Sequence, residues 1–301
     1  MGRFPIEVGS LGKQIEILSK KAINFVTPTP GEGFFTLFRG SGLEFKDFKE
    51  YSPSEDAKHI DWKASLRSDK LLIREYLQER GMDVIFIYDV SNSMLFGSQK
   101  KIKAHYGAEF ILTIAATVSE MGYNIGLICF NDKIKTILSP KASKTQFNLF
   151  FKILGDHATY GEGFDITKAL DILEGEYAEG SVIFLVSDFL GFDTLPEALE
   201  KKFKKIALKY DLISVILRDP RDETLPSDNM DILISSPYDN RETILNVKQV
   251  KKEYEEYNKI QKEKLKKFLK EINSDCLELY TDKPFINPTI SFFKRRNSLS
   301  K

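Results

Sequence analysis

The chain has 301 residues, enough for one large domain or two smaller ones, and either arrangement can bury a substantial core. Its 44 Lys and Arg residues balance 44 Asp and Glu residues, so the formal net charge is zero. That balance argues against a general nucleic-acid or anionic-membrane binder, which would carry a basic excess. We therefore expect no nucleic-acid partner.

The apolar segments of the chain are short, and the longest are Val84–Tyr88, Phe110–Val118 and Val182–Val186. Each is well below the roughly 18 residues that a transmembrane helix needs. The two cysteines, Cys129 and Cys276, lie in apolar, strand-like segments, and we expect both to be reduced thiols. We predict no transmembrane segment in this chain and a cytoplasmic location.

The N-terminal region divides into two predicted parts. Apolar residues at helical spacing predict an amphipathic helix over residues 10–26, and Thr27-Pro28-Thr29-Pro30-Gly31 ends it. Residues 1–30 are thus predicted to be a helix and linker. Residues 31–81 are rich in Gly, aromatic residues and alternating segments such as Leu71–Tyr76. This composition predicts a small β-rich unit.

From Met82 onward, strand-like segments alternate with helix-like ones. Continuous apolar segments such as Val84–Tyr88 and Ile125–Phe130 are typical of strands covered on both faces. The alternation implies right-handed crossovers and a mostly parallel sheet. We predict an α/β, Rossmann-type domain over residues 82–283, with helices flanking the sheet. Residues 284–301 are predicted to be a frayed tail.

Polar side chains follow two of the predicted buried strands. Asp89 comes directly after Val84–Tyr88, with Ser91 and Ser93 in the loop beyond it, and Asp188 ends another apolar segment. Ligands of open α/β sheets bind at the carboxyl ends of the strands. Carboxylates and hydroxyls suit a hard cation, and Mg²⁺ accepts few protein ligands. The pattern predicts a magnesium site.

Two other interpretations of these residues are open. In the first, Asp89, Ser91 and Asp188 only cap the helices that follow them. In the second, Asp89 is the nucleophile of a haloacid-dehalogenase-type phosphotransferase. That enzyme class places an acid/base Asp two residues later, where this chain has Ser91, which cannot protonate a leaving group.

The segment Asp89-Val90-Ser91-Asn92-Ser93 resembles the metal-ion-dependent adhesion motif of von Willebrand A domains. The preceding residues are similar to the signature of the bacterial domain-of-unknown-function 58 family, from about Gly40 to Gly97. The elements that carry this similarity are Gly40-Ser41-Gly42-Leu43-Glu44-Phe45, Tyr51-Ser52-Pro53-Ser54-Glu55-Asp56 and Ile60-Asp61-Trp62 leading to Arg67. The resemblance implies a von Willebrand A-like fold with metal ligands at Asp89, Ser91, Ser93 and Asp188.

The chain departs from the family pattern at two places. The Gly-Asp-Asp turn of the family is Ser54-Glu55-Asp56 here. Phe164 stands where von Willebrand A domains supply a third hydroxyl ligand from Thr, and a phenyl ring cannot bind a metal. Asp165 or Thr159 are the candidate substitute ligands. The sequence therefore predicts a degenerate magnesium site.

The resemblance also implies a function. Family members usually accompany MoxR-type AAA+ ATPases, so we expect a non-catalytic adaptor whose Mg²⁺ accepts an acidic side chain of a protein partner. Trp62, Asp61 and Arg67 are candidates for a second partner-binding surface, since Trp is frequent at interfaces. Alternatively, Trp62 is a half-buried anchor of its own unit.

No nucleophile–base pair stands out in the sequence, so we expect no enzymatic activity. There are two alternatives to the magnesium-dependent adaptor, and they differ in what Asp89, Ser91, Ser93 and Asp188 do. One is a metal-free interaction scaffold of the same fold. The other is a metal-dependent phosphohydrolase.

Overall fold

A computed structural model describes residues 45–52, 61–68, 70–76, 82–192, 195–226, 230–238 and 241–299. The helix predicted over residues 10–26 lies outside these ranges. The signature residues at 40–44 and 53–60 lie outside them as well.

The N-terminal described residues form a two-stranded sheet with a helix. Strand β1 (Phe45–Glu50) pairs antiparallel with β2 (Leu72–Tyr76), and helix α1 (Trp62–Ser68) lies between them in the chain. The Asp61 carboxylate accepts a hydrogen bond from the Ala64 amide at 3.0 Å, which satisfies a free N–H of the first helical turn. The unit predicted to be β-rich thus includes a helix.

Among the described residues, the main sheet has six strands. They are β3 (Asp83–Asp89), β4 (Asn124–Phe130), β5 (Ile134–Lys141), β6 (Val182–Ser187), β7 (Asp211–Arg218) and β10 (Asp275–Tyr280), with β8 and β9 forming a separate hairpin described below. Their order across the sheet is β10-β7-β6-β3-β4-β5. All are parallel to their neighbours except β5, which is antiparallel to β4. The predicted mixed α/β architecture with a mostly parallel sheet is confirmed.

Helices cover both faces of this sheet. They are α2 (Lys103–Glu120), α3 (Lys144–Gly155), α4 (Thr167–Glu176), α5 (Glu197–Lys209), α6 (Val247–Glu271) and α7 (Ile286–Leu299). Successive side chains of a strand point to opposite faces. Phe86 of β3 therefore joins a core with α2, α3 and α7, whereas Ile85 and Ile87 join a core with α4, α5 and α6. Burial on both faces explains the continuous apolar strands.

The prediction of a frayed C-terminal tail is wrong. Helix α7 places Phe292 and Phe293 in the core, where they are 4% and 1% exposed. Arg296 donates two hydrogen bonds to the carboxylate of Asp211, each of 2.7 Å, and so fixes α7 to the start of β7. The burial of these two phenylalanines holds the helix against the sheet.

A separate two-stranded hairpin lies between β7 and α6. Strand β8 (Asp231–Ser235) pairs antiparallel with β9 (Glu242–Asn246). The sequence indicates the centre of β8 but not β9. Strand β9 is mostly exposed and lacks a continuous apolar segment, so no pattern predicts it. In the described part of the chain, no helix is both long enough and apolar enough to cross a membrane.

Candidate functional site

The two strand-end acids meet where the strand order of the sheet reverses. The chain passes from β3 to β4 on one side and later returns to β6 on the other side of β3. Asp89 ends β3, and its Oδ2 accepts a hydrogen bond of 2.7 Å from the hydroxyl of Ser187, which ends β6. Asp89 and Asp188 are both fully buried. Crevices at such reversals are the usual ligand sites of open α/β sheets.

The two serines of the motif lie beside Asp89. The Ser91 amide donates to Asp89 Oδ1 at 2.9 Å, and the hydroxyls of Ser91 and Ser93 are 3.2 Å apart. Both serines are buried. The structure therefore brings together Asp89, Ser91 and Ser93 with Asp188, as the sequence predicted from their positions.

Lys103 supplies a buried positive charge at this site. Its Nζ donates to Asp188 Oδ2 at 2.6 Å and lies 3.3 Å from Asp222 Oδ2, and its side chain is only 4% exposed. Arg218 adds a hydrogen bond of 2.8 Å to the backbone carbonyl of Asp188. The sequence analysis did not identify Lys103. The available signal was a lysine at the start of a helix whose middle, Phe110–Ala116, is apolar except for Thr113.

The pKa values of the two acids, Asp89 and Asp188, are shifted in opposite directions, and Lys103 contributes to this difference. Burial and the nearby Asp188 raise the pKa of Asp89 to about 7, against the hydrogen bonds that it accepts from Ser187 and Ser91. Burial also acts to raise the pKa of Asp188, but Lys103, the hydrogen bond from the Leu190 amide and the charge of Arg218 together lower it. Asp188 and Lys103 thus form a buried ion pair beside a carboxyl group that resists ionisation.

The hairpin covers the serine loop. The Tyr238 hydroxyl lies 3.4 Å from Ser91 Oγ, and the Pro237 carbonyl accepts a hydrogen bond of 3.0 Å from the Asn92 side chain. Both contacts come from the turn that follows β8. They were not predicted, because a turn residue carries no signal of what it will contact across the fold.

The loops around the site adopt strained backbone conformations. Phe189, directly after Asp188, has a φ of 54°, and Glu162 has a φ of 71°. Residues with side chains rarely adopt this left-handed region, and each instance costs about 1–2 kcal/mol. Phe189 is held there by packing against Phe192, with ring centroids 4.8 Å apart. Strain of this kind often marks functional loops.

The capping interpretation does not describe the site. Ser91 precedes a short 3₁₀ helix (Asn92–Leu95), but its side chain makes no capping hydrogen bond. Asp188 Oδ1 accepts a hydrogen bond from the Leu190 amide at 3.1 Å within the loop after β6, and α5 begins only after Pro196. Neither Ser91 nor Asp188 therefore caps an α-helix.

The structure places the candidate substitute ligands in local hydrogen bonds. Asp165 Oδ1 accepts from the Thr167 amide at 3.0 Å at the start of α4. The Thr159 hydroxyl donates to the Ile153 carbonyl at 2.8 Å. Phe164 packs against aromatic rings, with its centroid 5.7 Å from that of Phe130. Nothing in these contacts replaces the hydroxyl that von Willebrand A domains provide.

The donor set as a whole does not match a magnesium site. Asp89, Ser91 and Ser93 offer converging oxygens, but Lys103 already neutralises Asp188. Within the described residues, no group of three or more His, Cys, Asp or Glu side chains is arranged to hold a metal ion. A second cation beside the buried ammonium would be repelled, and Asp89, whose pKa is raised, would have to ionise to hold it.

The residues predicted to form a second surface lie on or next to α1. Trp62 is 63% exposed, so the interpretation of this residue as a half-buried anchor is wrong. Arg67 is exposed as well, whereas the Asp61 carboxylate accepts a hydrogen bond from the Ala64 amide at the start of α1.

Sheet topology and site together define an α/β protein with an open, mostly parallel sheet and a buried polar cluster at the strand ends. More specifically, the chain belongs to the protein family of unknown function DUF58, whose family model matches residues 47–264.

Curated relatives include uncharacterized proteins of Mycobacterium tuberculosis (Rv1480) and Mycobacterium bovis (Mb1516). Each is 23% identical over 192 residues, which span 63% of this chain and 59% of the relative.

Similar solved structures include BatB from Bacteroides thetaiotaomicron, with 12% identity, a TM-score of 0.47, and coverage of 72% of this chain and 100% of that one. An aerotolerance-related membrane protein from Bacteroides fragilis has 13% identity, a TM-score of 0.46, and coverage of 73% and 100%. Similarity at this level carries no functional argument.

Proposed function

We propose that the chain is a non-catalytic adaptor that binds a protein partner through its strand-end face, without a bound metal. The strand-end face consists of the buried Asp89, Ser91, Ser93 and Asp188 and the exposed side chains of Phe96, Leu190 and Tyr238 around them. The observation that carries the metal-free form is the buried Lys103–Asp188 pair, with a distance of 2.6 Å between Nζ and Oδ2. Lys103 provides the positive charge that Mg²⁺ provides in the adhesion motif that the segment resembles.

Exposed apolar side chains support a binding role for this face. Phe96, Leu190 and Tyr238 are 45%, 45% and 41% exposed, and each belongs to a loop or turn next to the buried polar cluster. Phe96 lies over Lys103, with Nζ 5.5 Å from the ring centroid. Aromatic side chains are enriched at the centres of protein interfaces.

As the partner we propose a MoxR-type AAA+ ATPase. The support is family membership, because members of the family usually accompany such ATPases. The exposed Trp62 of α1 would provide the second contact surface on the same partner. In this proposal the adaptor presents two apolar surfaces and performs no chemistry of its own.

Binding to a purified MoxR-type ATPase from the same source tests the proposal. By biolayer interferometry, we expect Leu190→Ser and Phe96→Ser each to weaken binding by about tenfold or more, as for central interface residues. Leu208→Ser is the matched control, since Leu208 is 88% exposed but lies on α5. Equal affinities for all three variants and the unaltered chain would contradict the strand-end face.

A further inference from the structure

The hairpin of β8 and β9 lies outside both cores of the α/β domain. Its strands form a sheet of their own, and no residue of either strand is buried. Leu233 and Ile244, directly opposite each other, are 63% and 70% exposed. Of the described side chains that form or line the two cores, none comes from the hairpin. The hairpin can therefore move without disturbing either core.

Two buried residues bound the segment that contains the hairpin. Leu225 is 5% exposed and Val247 is 1% exposed, whereas every described residue between them is half-buried or exposed. The Val247 amide donates to the Met230 carbonyl at 3.0 Å and closes the base of the hairpin. The hairpin is thus a unit that is anchored at its base.

The tip of the hairpin, residues 236–238, contacts the domain at the serine loop. Tyr238 Oη lies 3.4 Å from Ser91 Oγ, and the Asn92 side-chain amide donates to the Pro237 carbonyl at 3.0 Å. Both contacts join neutral groups. Hydrogen bonds of this kind are individually weak, so the tip can be released at a small cost in free energy.

The tip lies over hydroxyls that a polar group of a partner would bind. The Tyr238 hydroxyl interacts with the side chains of both Ser91 and Ser93, which are 0% and 2% exposed. Each serine hydroxyl can donate one hydrogen bond and accept others. While the tip is in place, these groups are closed to a partner on the strand-end face. Once it leaves, they are accessible beside Asp89.

We infer that the hairpin is a displaceable cover over Ser91 and Ser93, and that a partner on the strand-end face displaces it. The inference rests on the proposed adaptor function and adds the regulation of the same face. The fraction of chains in which the cover is displaced sets the apparent affinity for the partner.

Thiol labelling of the full chain tests the cover directly, with iodoacetamide as the probe. Ser93→Cys places a thiol of similar size under the tip, and we expect it to react more slowly than free cysteine. Tyr238→Phe removes a hydrogen bond from the tip and should make this reaction about fivefold faster. Mass spectrometry distinguishes the new thiol from Cys129 and Cys276.

Ser214→Cys is the matched control for this labelling. Ser214 is 0% exposed in β7, so its thiol should stay unreactive with and without Tyr238→Phe. If the Ser93→Cys thiol reacts as fast as free cysteine, or at a rate that Tyr238→Phe leaves unchanged, the inference is overturned.

Hydrogen–deuterium exchange provides a second measurement in a chain without added thiols. We expect the amides of β8 and β9 to exchange about 100-fold faster than those of β3, because the hairpin opens without the core. Asn92→Ala removes the other contact, from the side of the serine loop, and should speed exchange in both hairpin strands about fivefold. Hairpin exchange as slow as that of β3, or unaffected by Asn92→Ala, would contradict a displaceable cover.

Binding to the ATPase separates the cover from the adaptor proposal. Tyr238→Phe keeps the aromatic ring, and we expect it to tighten binding about fivefold because the displaced form becomes more populated. Faster labelling with unchanged or weaker binding would refute the regulatory role, while the adaptor proposal would stand. If the unaltered chain does not bind the ATPase, the adaptor proposal fails, and labelling and exchange still decide whether the hairpin is a cover.

Discussion

At the residue scale, the strand-end cluster combines a buried ion pair with a buried acid. Asp188 and Lys103 compensate each other, and Asp89 sits next to them with hydrogen bonds from Ser187 and Ser91. Burying an uncompensated charge is costly, whereas a paired and hydrogen-bonded one is tolerated. The stability of the cluster therefore depends on which of these groups is ionised.

Replacing Asp89 with Asn tests the ionisation of this acid. The pKa of Asp89 is raised from 3.8 to about 7. Between these values the unfolded chain releases the proton and the folded chain keeps it, so stability contributed by Asp89 falls as pH rises through this window. We expect Asp89→Asn to become more stable relative to the unaltered chain by about 4 kcal/mol between pH 4 and pH 8.

Urea unfolding at a series of pH values measures this difference. Groups far from Asp89 contribute equally to both proteins and cancel, and Asp188, which interacts with Asp89, stays ionised over this range because its pKa is lowered. Parallel stability profiles would mean that Asp89 ionises as easily in the folded chain as in the unfolded one.

Replacing Lys103 with Met tests the ion pair. The change leaves Asp188 buried without its cation, and we expect a loss of about 3–5 kcal/mol in the free energy of unfolding. The double variant Lys103→Met with Asp188→Asn should recover most of that loss. Lys133→Met serves as the control, because its pair with Glu162 is exposed and we expect the change to leave stability almost unaltered. Additive effects of the two site substitutions would show that the residues do not interact.

At the element scale, α7 and the hairpin extend the α/β domain beyond its parallel sheet. Helix α7 completes the core on one face, and the hairpin turn contacts the serine loop through Tyr238 and Pro237. Both elements come late in the chain, yet each contacts residues near the beginning of the α/β domain. The candidate site is therefore assembled only when the whole domain has folded.

The substitution Phe293→Ala tests the packing of α7. Phe293 is 1% exposed, so we expect a loss of about 3–5 kcal/mol from the lost burial and the cavity that remains. Lys294→Ala, one position later and exposed, should change stability by no more than about 0.5 kcal/mol. Denaturant unfolding compares the two. A frayed tail would instead make both substitutions neutral.

At the scale of the whole molecule, the metal-free and metal-dependent forms of the adaptor differ in their response to Mg²⁺. A ligand that binds only the folded chain stabilises it, by about 2.7 kcal/mol at one hundred times its Kd. Because Lys103 neutralises Asp188, we expect the melting temperature to stay constant up to about 10 mM MgCl₂. Scanning calorimetry of the unaltered chain and of Asp89→Ala measures this.

An increase of the melting temperature with Mg²⁺ in the unaltered chain alone would favour the magnesium-dependent adaptor. The phosphohydrolase alternative predicts, in addition, that the chain hydrolyses a generic phosphate ester and that Asp89→Asn abolishes this turnover. A phosphatase assay in the same buffer separates these two metal-dependent alternatives.

Much of the architecture follows from local pattern. The apolar segments that became β3, β4 and β6 predicted strands buried on both faces, and their alternation with helices predicted a parallel sheet. Asp89 and Asp188 could be placed at one edge because parallel strands end at the same side of a sheet. The family resemblance was likewise carried by short motifs whose spacing is visible in the chain.

The remaining features of the candidate site depend on contacts between residues that are distant in the sequence. Lys103 meets Asp188 across 85 positions, and Tyr238 meets Ser91 across 147. No periodicity in the sequence predicts such pairs, because they depend on how helices and turns pack once the sheet has formed. The sequence by itself determined the fold class and the residues that converge at the strand ends. Only the tertiary structure placed the buried Lys103 against Asp188, because a buried carboxylate needs a cationic partner and that partner comes from a distant helix.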